Sequence, residues 1–355
     1  MGTIATINGI AEDNISHHNG GTAALYTNKN GDTWGHVVYT VASGGTITTS
    51  GDYKIHTFDS SGTFAVSTIG TTATVEYLVI AGGGSGGYSI AAGGGAGGLR
   101  NSFASETSGG GGSSESAITL QEASYTVTIG AGGVCTVNSG SGGDYKGSDG
   151  TNSSLSGAGI TTVTSIGGGR GGSNASTSPT DDNGGTGGSG GGAGQYGNVG
   201  AGTTNQGYAG GEDNPSDSAF LGGGGGAGAV GYAYNAGPSP YGNGGAGLQC
   251  NIDGNNYYYA GGGGRGSHGG SAGDGGIGGG GGGADYNYSG RGAGGGSARN
   301  SGVEGNAEGS GNTPYTGGNG GANTGGGGGG GGHFLWGAQG GSGGSGAIII
   351  RYLYQ

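Results

Sequence analysis

Hydrophobic and polar positions alternate along the first third of the chain in the two-residue rhythm of β-strands. The segment 53–58 (YKIHTF) alternates in this way, and Phe64 and Val66 occupy every second position within SGTFAVS. The segment 75–81 (VEYLVIA) is an almost continuous apolar run, typical of a buried strand. Turn signals rich in glycine and serine separate these segments. The pattern therefore predicts β-strands within residues 51–81.

Further strand signals follow at wide intervals. Apolar or β-branched runs predict strands within 117–130, 161–166, 257–260 and 347–354. Nowhere do apolar residues keep the 3.6-residue period of a helix over three turns, and a glycine inside a helix costs about 1 kcal/mol relative to alanine. We therefore predict an all-β chain with essentially no α-helix.

Glycine dominates the stretches between the predicted strands. The chain has 110 glycines in 355 residues but five prolines, and runs such as 278–283 break any Gly-X-Y period, so a collagen helix is excluded. A flexible linker is the other glycine-rich class, but 20 tyrosines and a charged fraction of 8% do not fit a solvated, disordered chain. The composition favours ordered glycine segments.

Several predicted strands run directly into glycine. The junctions include LVIA-GGG at 78–84, VTSI-GGG at 163–169 and YYYA-GGGG at 257–264. A polyproline II segment continues the direction of a strand at about 3.1 Å per residue with three residues per turn, and glycine lets such backbones pack closely. We predict polyglycine II helices that lie side by side, bond one another and are joined by loops.

The first 50 residues have a different pattern. Asn8-Gly9 and Asn19-Gly20 are typical of tight turns, and Trp34–Val41 mixes aromatic and β-branched residues as strands do. We interpret residues 1–50 as an attachment or oligomerisation module and residues 51–355 as the glycine-rich domain. The chain shows no signal-peptide pattern and no run of about 18 apolar residues, so we expect neither standard export nor membrane insertion.

Charge and motif content argue against several functions. The formal net charge of −12, from nine basic and 21 acidic residues, argues against a nucleic-acid partner. The six histidines lack zinc spacing, and the chain has neither a P-loop nor a nucleophile elbow. We predict no enzymatic activity, no cofactor and no metal; a lone calcium ion on carboxylates such as Asp149 and Asp274 is the alternative to ordinary turn residues. Whether Cys135 and Cys250 pair stays open.

The loops between the glycine runs are unusually aromatic. Tyrosine and tryptophan offer large contact areas with few torsions and a polar group, which suits recognition of sugars or protein surfaces. Rings that merely cover the glycine layers are the alternative. The candidate receptor-binding residues are Tyr232, Tyr234, Tyr241, Tyr286, Tyr288, Tyr315, Phe334 and Trp336.

The order of the motifs carries a family resemblance. The series GDYKIHTFDSSGTFAVS, TVEYLVIAGGGSGG, SYTVTIGAGG, GGGGRGSHGG and GGSGGSGAIIIRY resembles the glycine-rich tail-fibre and virion-fibre proteins of phages from about residue 51 onward. The resemblance implies a β-sandwich of the jelly-roll type, similar to tumour-necrosis-factor-like domains, with packed polyglycine II helices inserted between strands and binding residues in the loops. The jelly-roll analogy also implies a homotrimer.

Together, the residues and the resemblance lead us to expect a non-catalytic adhesin or fibre on the virion surface. Its partners would be a host cell-surface receptor, either a glycan or an outer-membrane protein, and other virion proteins bound through residues 1–50. A purely structural role, as capsid decoration or as a subunit of an extracellular filament, is the alternative. Ice binding by a flat face of glycine helices is a minor alternative.

Overall fold

The structure is a computed structural model that describes residues 38–137, 145–173, 181–213, 221–236, 239–286, 290–307, 315–333 and 338–354, and the backbone of four short strands before residue 38. The strands are β1 (Thr6–Ile7), β2 (Ile10–Ala11), β3 (Tyr26–Thr27), β4 (Thr33–Trp34), β5 (Val41–Ser43), β6 (Thr46–Ser50), β7 (Tyr53–Phe58), β8 (Gly62–Thr68), β9 (Thr74–Ile80), β10 (Leu99–Asn101), β11 (Ile118–Thr119), β12 (Ala123–Thr128), β13 (Cys135–Val137), β14 (Tyr145–Gly147), β15 (Ser153–Ser156), β16 (Val163–Ser165), β17 (Tyr234–Ala236), β18 (Ser239–Tyr241), β19 (Leu248–Cys250), β20 (Tyr257–Tyr259) and β21 (Ala347–Leu353). The described residues include no helix, and hence none with the length and apolarity needed to cross a membrane. The predicted all-β fold class is confirmed.

Two antiparallel sheets face each other as a β-sandwich. The six-stranded sheet has the order β10-β9-β21-β7-β6, with β11 also paired to β9, and the five-stranded sheet has the order β16-β15-β12-β8-β5. Side chains from both sheets, including Phe58 of β7 and Phe64 of β8, form one core between them. The assignment of this sandwich to the jelly-roll type stays a prediction.

The strands β9 and β21 of the six-stranded sheet are buried on both faces along most of their length. In β9, Val75, Tyr77 and Val79 belong to the core between the sheets, whereas Leu78 and Ile80 belong to a second core beneath the glycine-rich region. The strand β21 divides its isoleucines between the two cores in the same way. Burial on both faces is the reason why these strands are apolar at nearly every position.

The five-stranded sheet has one buried face. In β12, Tyr125 and Val127 are buried while Ser124 and Thr126 are exposed. This alternation is the two-residue pattern from which the strand was predicted, because successive side chains of a strand point to opposite faces.

The glycine-rich segments run as extended rods whose hydrogen bonds repeat every three residues. Along the rod 82–87, amides three residues apart donate to the same neighbour at 2.8–3.1 Å: Gly82 and Ser85 to the rod 147–152, Gly83 and Gly86 to the rod 338–346, and Gly84 and Gly87 to the rod 91–98. Three residues per turn is the repeat of the polyproline II helix. The polyglycine II conformation itself stays a prediction, which this period supports.

The same rod also accepts hydrogen bonds from further rods. Its carbonyls receive the amides of Gly168 in the rod 166–173, Gly328 in the rod 324–333 and Gly133 in the rod 129–134. Three acceptor rods and three donor rods therefore surround it. We call the whole assembly of rods the lattice. The mutual saturation of peptide groups offsets the large entropy that glycine loses on folding.

Close packing of the rods explains why the lattice is built of glycine. A Cβ atom at Gly84 would overlap the carbonyl group of Gly169, and one at Gly329 would overlap that of Gly282. Both obstacles are backbone atoms, which cannot rotate away as the end of a side chain can. Even alanine is therefore too large at these positions.

The strand predictions are confirmed in outline and wrong at one place. Strands occur in each predicted interval, and β1 pairs with β2 through Ile7 and Ile10, whereas the turn predicted at Asn8-Gly9 lies outside the described residues. Within Trp34–Val41, whose composition is typical of a strand, Trp34 ends β4 and Val41 begins β5, but the described residues 38–40 are not in a strand, so the prediction is wrong there. Their polar groups bind a loop instead, since Thr71 donates its amide to the carbonyl of Val38 at 2.8 Å. The turn predicted at Asn19-Gly20 lies outside the described residues.

The two cysteines, whose pairing the sequence left open, are both free and buried. Burial raises the pKa of the Cys135 thiol to about 11. Burial, together with hydrogen bonding to Glu106, also raises the pKa of Cys250. Both thiols are therefore protonated near neutral pH and contribute as apolar side chains.

Candidate functional site

The rods have one end at the sandwich and another end away from it, which we call the distal end. The rod 82–87 leaves β9 and the rod 91–98 returns into β10, so the turn 88–90 between them lies at the end of both rods that is farther from the sheet. Other rods end beside this turn, because Ser89 donates its amide to Ala338 at 2.9 Å and Ala91 donates to Gly331 at 3.1 Å.

Four aromatic rings meet at the distal end, and we call them the ring cluster (His268, Tyr286, Tyr315 and His333). The centroid distances are 5.0 Å for His268–Tyr286, 5.6 Å for Tyr286–Tyr315, 4.8 Å for Tyr315–His333, 4.5 Å for Tyr286–His333 and 5.0 Å for His268–His333. Aromatic pairs of this kind contribute about 0.5–1.5 kcal/mol beyond their buried area. The four side chains come from different rod ends and form one ordered surface.

The backbone fixes this cluster at the distal end. Gly266 donates its amide to Ala91 beside the turn 88–90 at 2.8 Å, and Gly332 donates to Tyr315 at 3.0 Å. His268 is exposed, Tyr286 and Tyr315 are half-buried, and His333 is buried. The cluster therefore has an inner side that packs on the rods and an outer side that faces solvent.

Tyr241 is attached to the same end through a buried arginine. The guanidinium of Arg265, which is 2% exposed, donates to the carbonyl oxygens of Tyr241 at 2.9 Å, Gly266 at 3.0 Å and Ser271 at 3.0 Å. Because His268 lies between Gly266 and Ser271 in sequence, one side chain holds both the Tyr241 hairpin and the His268 loop. The ring of Tyr241 is 43% exposed.

Tyr196 is a distal aromatic residue that the sequence analysis missed. It is 71% exposed and has a φ of 60°, and its amide donates to a carboxylate oxygen of Asp213 at 2.9 Å. Its turn lies at the distal end, because Tyr88 of the turn 88–90 donates its amide to the Ser173 hydroxyl at 3.0 Å and Ser173 donates its amide to the carbonyl of Asp181 at 2.8 Å. The amide of Gly194, just before Tyr196, donates to the adjacent carbonyl of Asp182 at 2.8 Å. Tyr196 stands alone in a glycine-rich turn, and its sequence neighbours do not indicate how far it is exposed.

The structure thus places part of the predicted receptor-binding set. It brings Tyr286 and Tyr315 together, leaves Tyr241 exposed, and places Tyr232 half-buried where its amide donates to Asn243 at 3.0 Å. The other candidates lie outside the residues whose side chains are described: Tyr234, Tyr288, Phe334 and Trp336. His268, which was not among the candidates, joins the set through the ring cluster.

A polar cleft on the flank of the molecule is the main competing site. Arg100 and Glu115 line it, but they bind each other, with Nε to Oε1 at 2.8 Å and Nη2 to Oε2 at 2.6 Å, and the Tyr77 hydroxyl donates to Oε2 at 2.7 Å. Burial acts to raise the pKa of Glu115, but the hydrogen bonds from Arg100 and Tyr77 outweigh burial and the pKa is lowered. These groups neutralise one another and join β9 to its neighbours.

Asparagine and aspartate side chains cap the outer amides of the lattice, and we call them the Asx caps. Each cap precedes a glycine, and its Oδ1 accepts an amide of a neighbouring rod. The caps and their donors are Asp149 with Arg170 at 2.8 Å, Asn183 with Asn198 at 2.6 Å, Asn243 with Asp274 at 2.9 Å, Asp274 with Ala293 at 2.8 Å, and Asn319 with Ser342 at 2.8 Å. Asparagine and aspartate fit equally, because the bond needs an oxygen and not a charge.

The Asx caps include Asp149 and Asp274, the two carboxylates for which calcium binding was the alternative. Asp149 and Asp274 each give one oxygen to a backbone amide. In the described part of the chain, no group of three or more histidine, cysteine, aspartate or glutamate side chains is placed to hold a metal ion. The geometry gives these carboxylates a structural role in the lattice.

Comparison with known proteins agrees with the glycine-rich architecture. The chain matches the family model described as a glycine-rich domain over residues 57–313, which is more than half of its length. The curated proteins include no match to it. The matched span begins in β7 and includes the rods that carry His268 and Tyr286. The chain therefore belongs to the glycine-rich domain family.

Proposed function

We propose that this protein is a non-catalytic adhesin or fibre on the surface of a virion, and that it binds a host cell-surface receptor through its distal aromatic loops. The receptor is a glycan or an outer-membrane protein. Residues 1–50 attach the chain to other virion proteins, the molecule acts as a homotrimer, and neither nucleic acid nor membrane insertion is involved.

The observation that carries the proposal is the convergence of aromatic side chains at the distal end. The ring cluster, Tyr241 and Tyr196 come from loops far apart in sequence, and the rods deliver them to one end. Tyrosine binds with little loss of conformational entropy because it has few torsions, and a rigid platform reduces that loss further. An exposed aromatic surface on a rigid support is suited to reversible recognition.

The lattice also supplies the rigidity that this role needs. Its amides and carbonyls bond rods on all sides, as in the rod 82–87 with its six neighbours. Loops on such a support can differ in sequence without a change in the packing below them. Binding residues commonly lie on loops of this kind, which a rigid scaffold holds in position.

The Asx caps favour the adhesin over a filament made by stacked lattices. A filament subunit that stacks through its glycine rods needs free amides on the outer face, and at these five positions a side-chain oxygen already accepts the amide. Filament assembly remains the second outcome that the experiment must distinguish.

Binding of the labelled full chain to a panel of bacterial isolates, scored by flow cytometry, tests the proposal. We expect binding to at least one isolate, and we expect Tyr241→Ala combined with Tyr196→Ala to weaken it at least tenfold. Ile277→Ala is the matched control, since Ile277 is 40% exposed near Tyr259 of the second core and not at the distal end. Fibre growth without cell binding, or equal loss in the control, refutes the proposal.

A further inference from the structure

Among the described residues, both sheets of the sandwich end on the same side in a strand that pairs along one edge only. The order of each sheet places β6 at the end of one and β5 at the end of the other. The two strands are consecutive and joined by Gly44 and Gly45, so their free edges lie side by side. We call the surface formed by residues 38–51 the open side.

The opposite edges of the two sheets are covered. Leu99 of β10 donates its amide to Gln206 at 3.0 Å, and the Ser165 hydroxyl of β16 donates to Gly98 at 2.6 Å. Leu99 and Ser165 are both fully buried. In contrast, four of the five residues of β6 are exposed. Within the described part of the chain, the outer edge of β6 is therefore unpaired and mostly exposed.

The composition of the open side is unusual for an exposed edge. Natural edge strands are commonly protected by charged residues or proline, yet residues 38–51 (VYTVASGGTITTSG) contain neither. Three large apolar side chains are exposed within this stretch: Tyr39 at 39%, Val41 at 48% and Ile47 at 47%. Such an edge is suited to pairing with another strand.

The charge distribution allows a second copy of this chain as the partner. The chain carries a net charge of −12, so most contacts between two copies bring like charges together. The open side is free of charge in its own sequence, so copies can meet there without that repulsion. The lattice offers less opportunity for such contact, because the Asx caps already occupy outer amides such as those of Ala293 and Ser342.

We propose that the open side is the contact surface between copies of this chain in a homo-oligomer. The exposed edge of β6 in one copy packs against the open side of the next copy, which covers Ile47, and a head-to-tail contact of this kind can close as a ring. The distal ends then project away from the contact, since they lie at the far end of the rods. The contact does not depend on receptor binding.

Light scattering of the full chain at several concentrations tests this assignment. We expect an oligomer for the wild type and at least a tenfold weaker association for Ile47→Lys, because lysine adds a charge to the centre of the edge. Val303→Lys is the matched control, since Val303 is 51% exposed on a rod. A monomeric wild type, or equal effects of the two substitutions, overturns the proposal.

Hydrogen exchange keeps the test valid if Ile47→Lys fails to fold. In the wild type, we expect protection of the amides of 46–50 to rise with protein concentration, because a second copy supplies their partner. Protection that is independent of concentration means that the chain's own residues cover the edge, and that result also overturns the proposal.

Discussion

A single methyl group inside the lattice provides the strictest test of the architecture, and Gly263→Ala places it between two rods. The Cβ atom would overlap the carbonyl oxygen of Gly328 and lie 2.5 Å from its carbonyl carbon. Carbon atoms in favourable contact are about 3.5–4.0 Å apart. The rods 260–267 and 324–333 must therefore separate by about 1 Å.

The cost follows from the hydrogen bonds that join these rods. Gly327 donates to Gly261 at 2.9 Å and Gly330 donates to Gly264 at 2.9 Å, on either side of the inserted methyl group. A buried group that loses its partner costs about 1–3 kcal/mol, and overpacking itself costs about 1–3 kcal/mol. We expect Gly263→Ala to lower the free energy of unfolding by about 2–6 kcal/mol, a large fraction of the total for most domains.

Urea unfolding of the variant beside Gly296→Ala measures this cost. No atom lies within 4 Å of a Cβ at Gly296, and its φ is outside the left-handed region. Alanine there should be neutral or stabilise by about 0.4–1 kcal/mol through the unfolded state. A Gly263→Ala variant within about 1 kcal/mol of the wild type would show that the rods are loose, and the account of the lattice would then be wrong.

Three further predictions concern individual side chains. Burial lowers the pKa of His56, whose Nδ1 donates to the carbonyl of Gly44 at 2.7 Å, so the unfolded chain binds a proton that the folded chain does not. The free energy of unfolding should therefore fall as the pH drops below about 6.5, by up to about 1.4 kcal/mol per pH unit. The variant His56→Gln should lack this pH dependence. Arg265→Met leaves three carbonyls without their donor, so hydrogen exchange should quicken at 266–271 while β9 stays protected, with partial recovery in Arg265→Lys. Because the pKa of Cys135 is about 11, its thiolate fraction at pH 8 is about one in a thousand, and thiol reagents should react at least about a hundredfold faster once urea unfolds the chain.

The strands and the class of the fold could be predicted from local patterns, because the faces of a strand that are buried determine which of its own positions are apolar. The run VEYLVIA is apolar since both faces of β9 are covered, and ASYTVT alternates since one face of β12 is not. That residues 38–40 lie outside a strand could not be predicted in this way. The carbonyl of Val38 accepts the amide of Thr71, which is far along the chain, so the local pattern does not contain this contact.

The candidate site was predictable in composition but not in geometry. Aromatic loops between glycine runs identified Tyr241, Tyr286 and Tyr315, yet the stacking of Tyr286 on Tyr315 depends on which rods are neighbours. Rods of nearly pure glycine carry no side chains that specify a neighbour, so the order of the lattice cannot be read from them. The contribution of Arg265 and the exposure of Tyr196 follow from that order.

Substitutions at an Asx cap can show whether a loop carboxylate acts through its hydrogen bond to the backbone or through its charge, as a metal ligand would. Asp274 belongs to two bonds: its amide donates to Asn243 and its Oδ1 accepts the amide of Ala293. Asp274→Ala removes the second bond at an exposed position, so the free energy of unfolding should fall by about 0.5–1.5 kcal/mol and exchange at Ala293 should quicken. Asp274→Asn keeps an oxygen in place and should behave as the wild type in both measurements, with or without added calcium. If asparagine is as damaging as alanine, the carboxylate charge matters, and the side chain does more than close the edge of a rod.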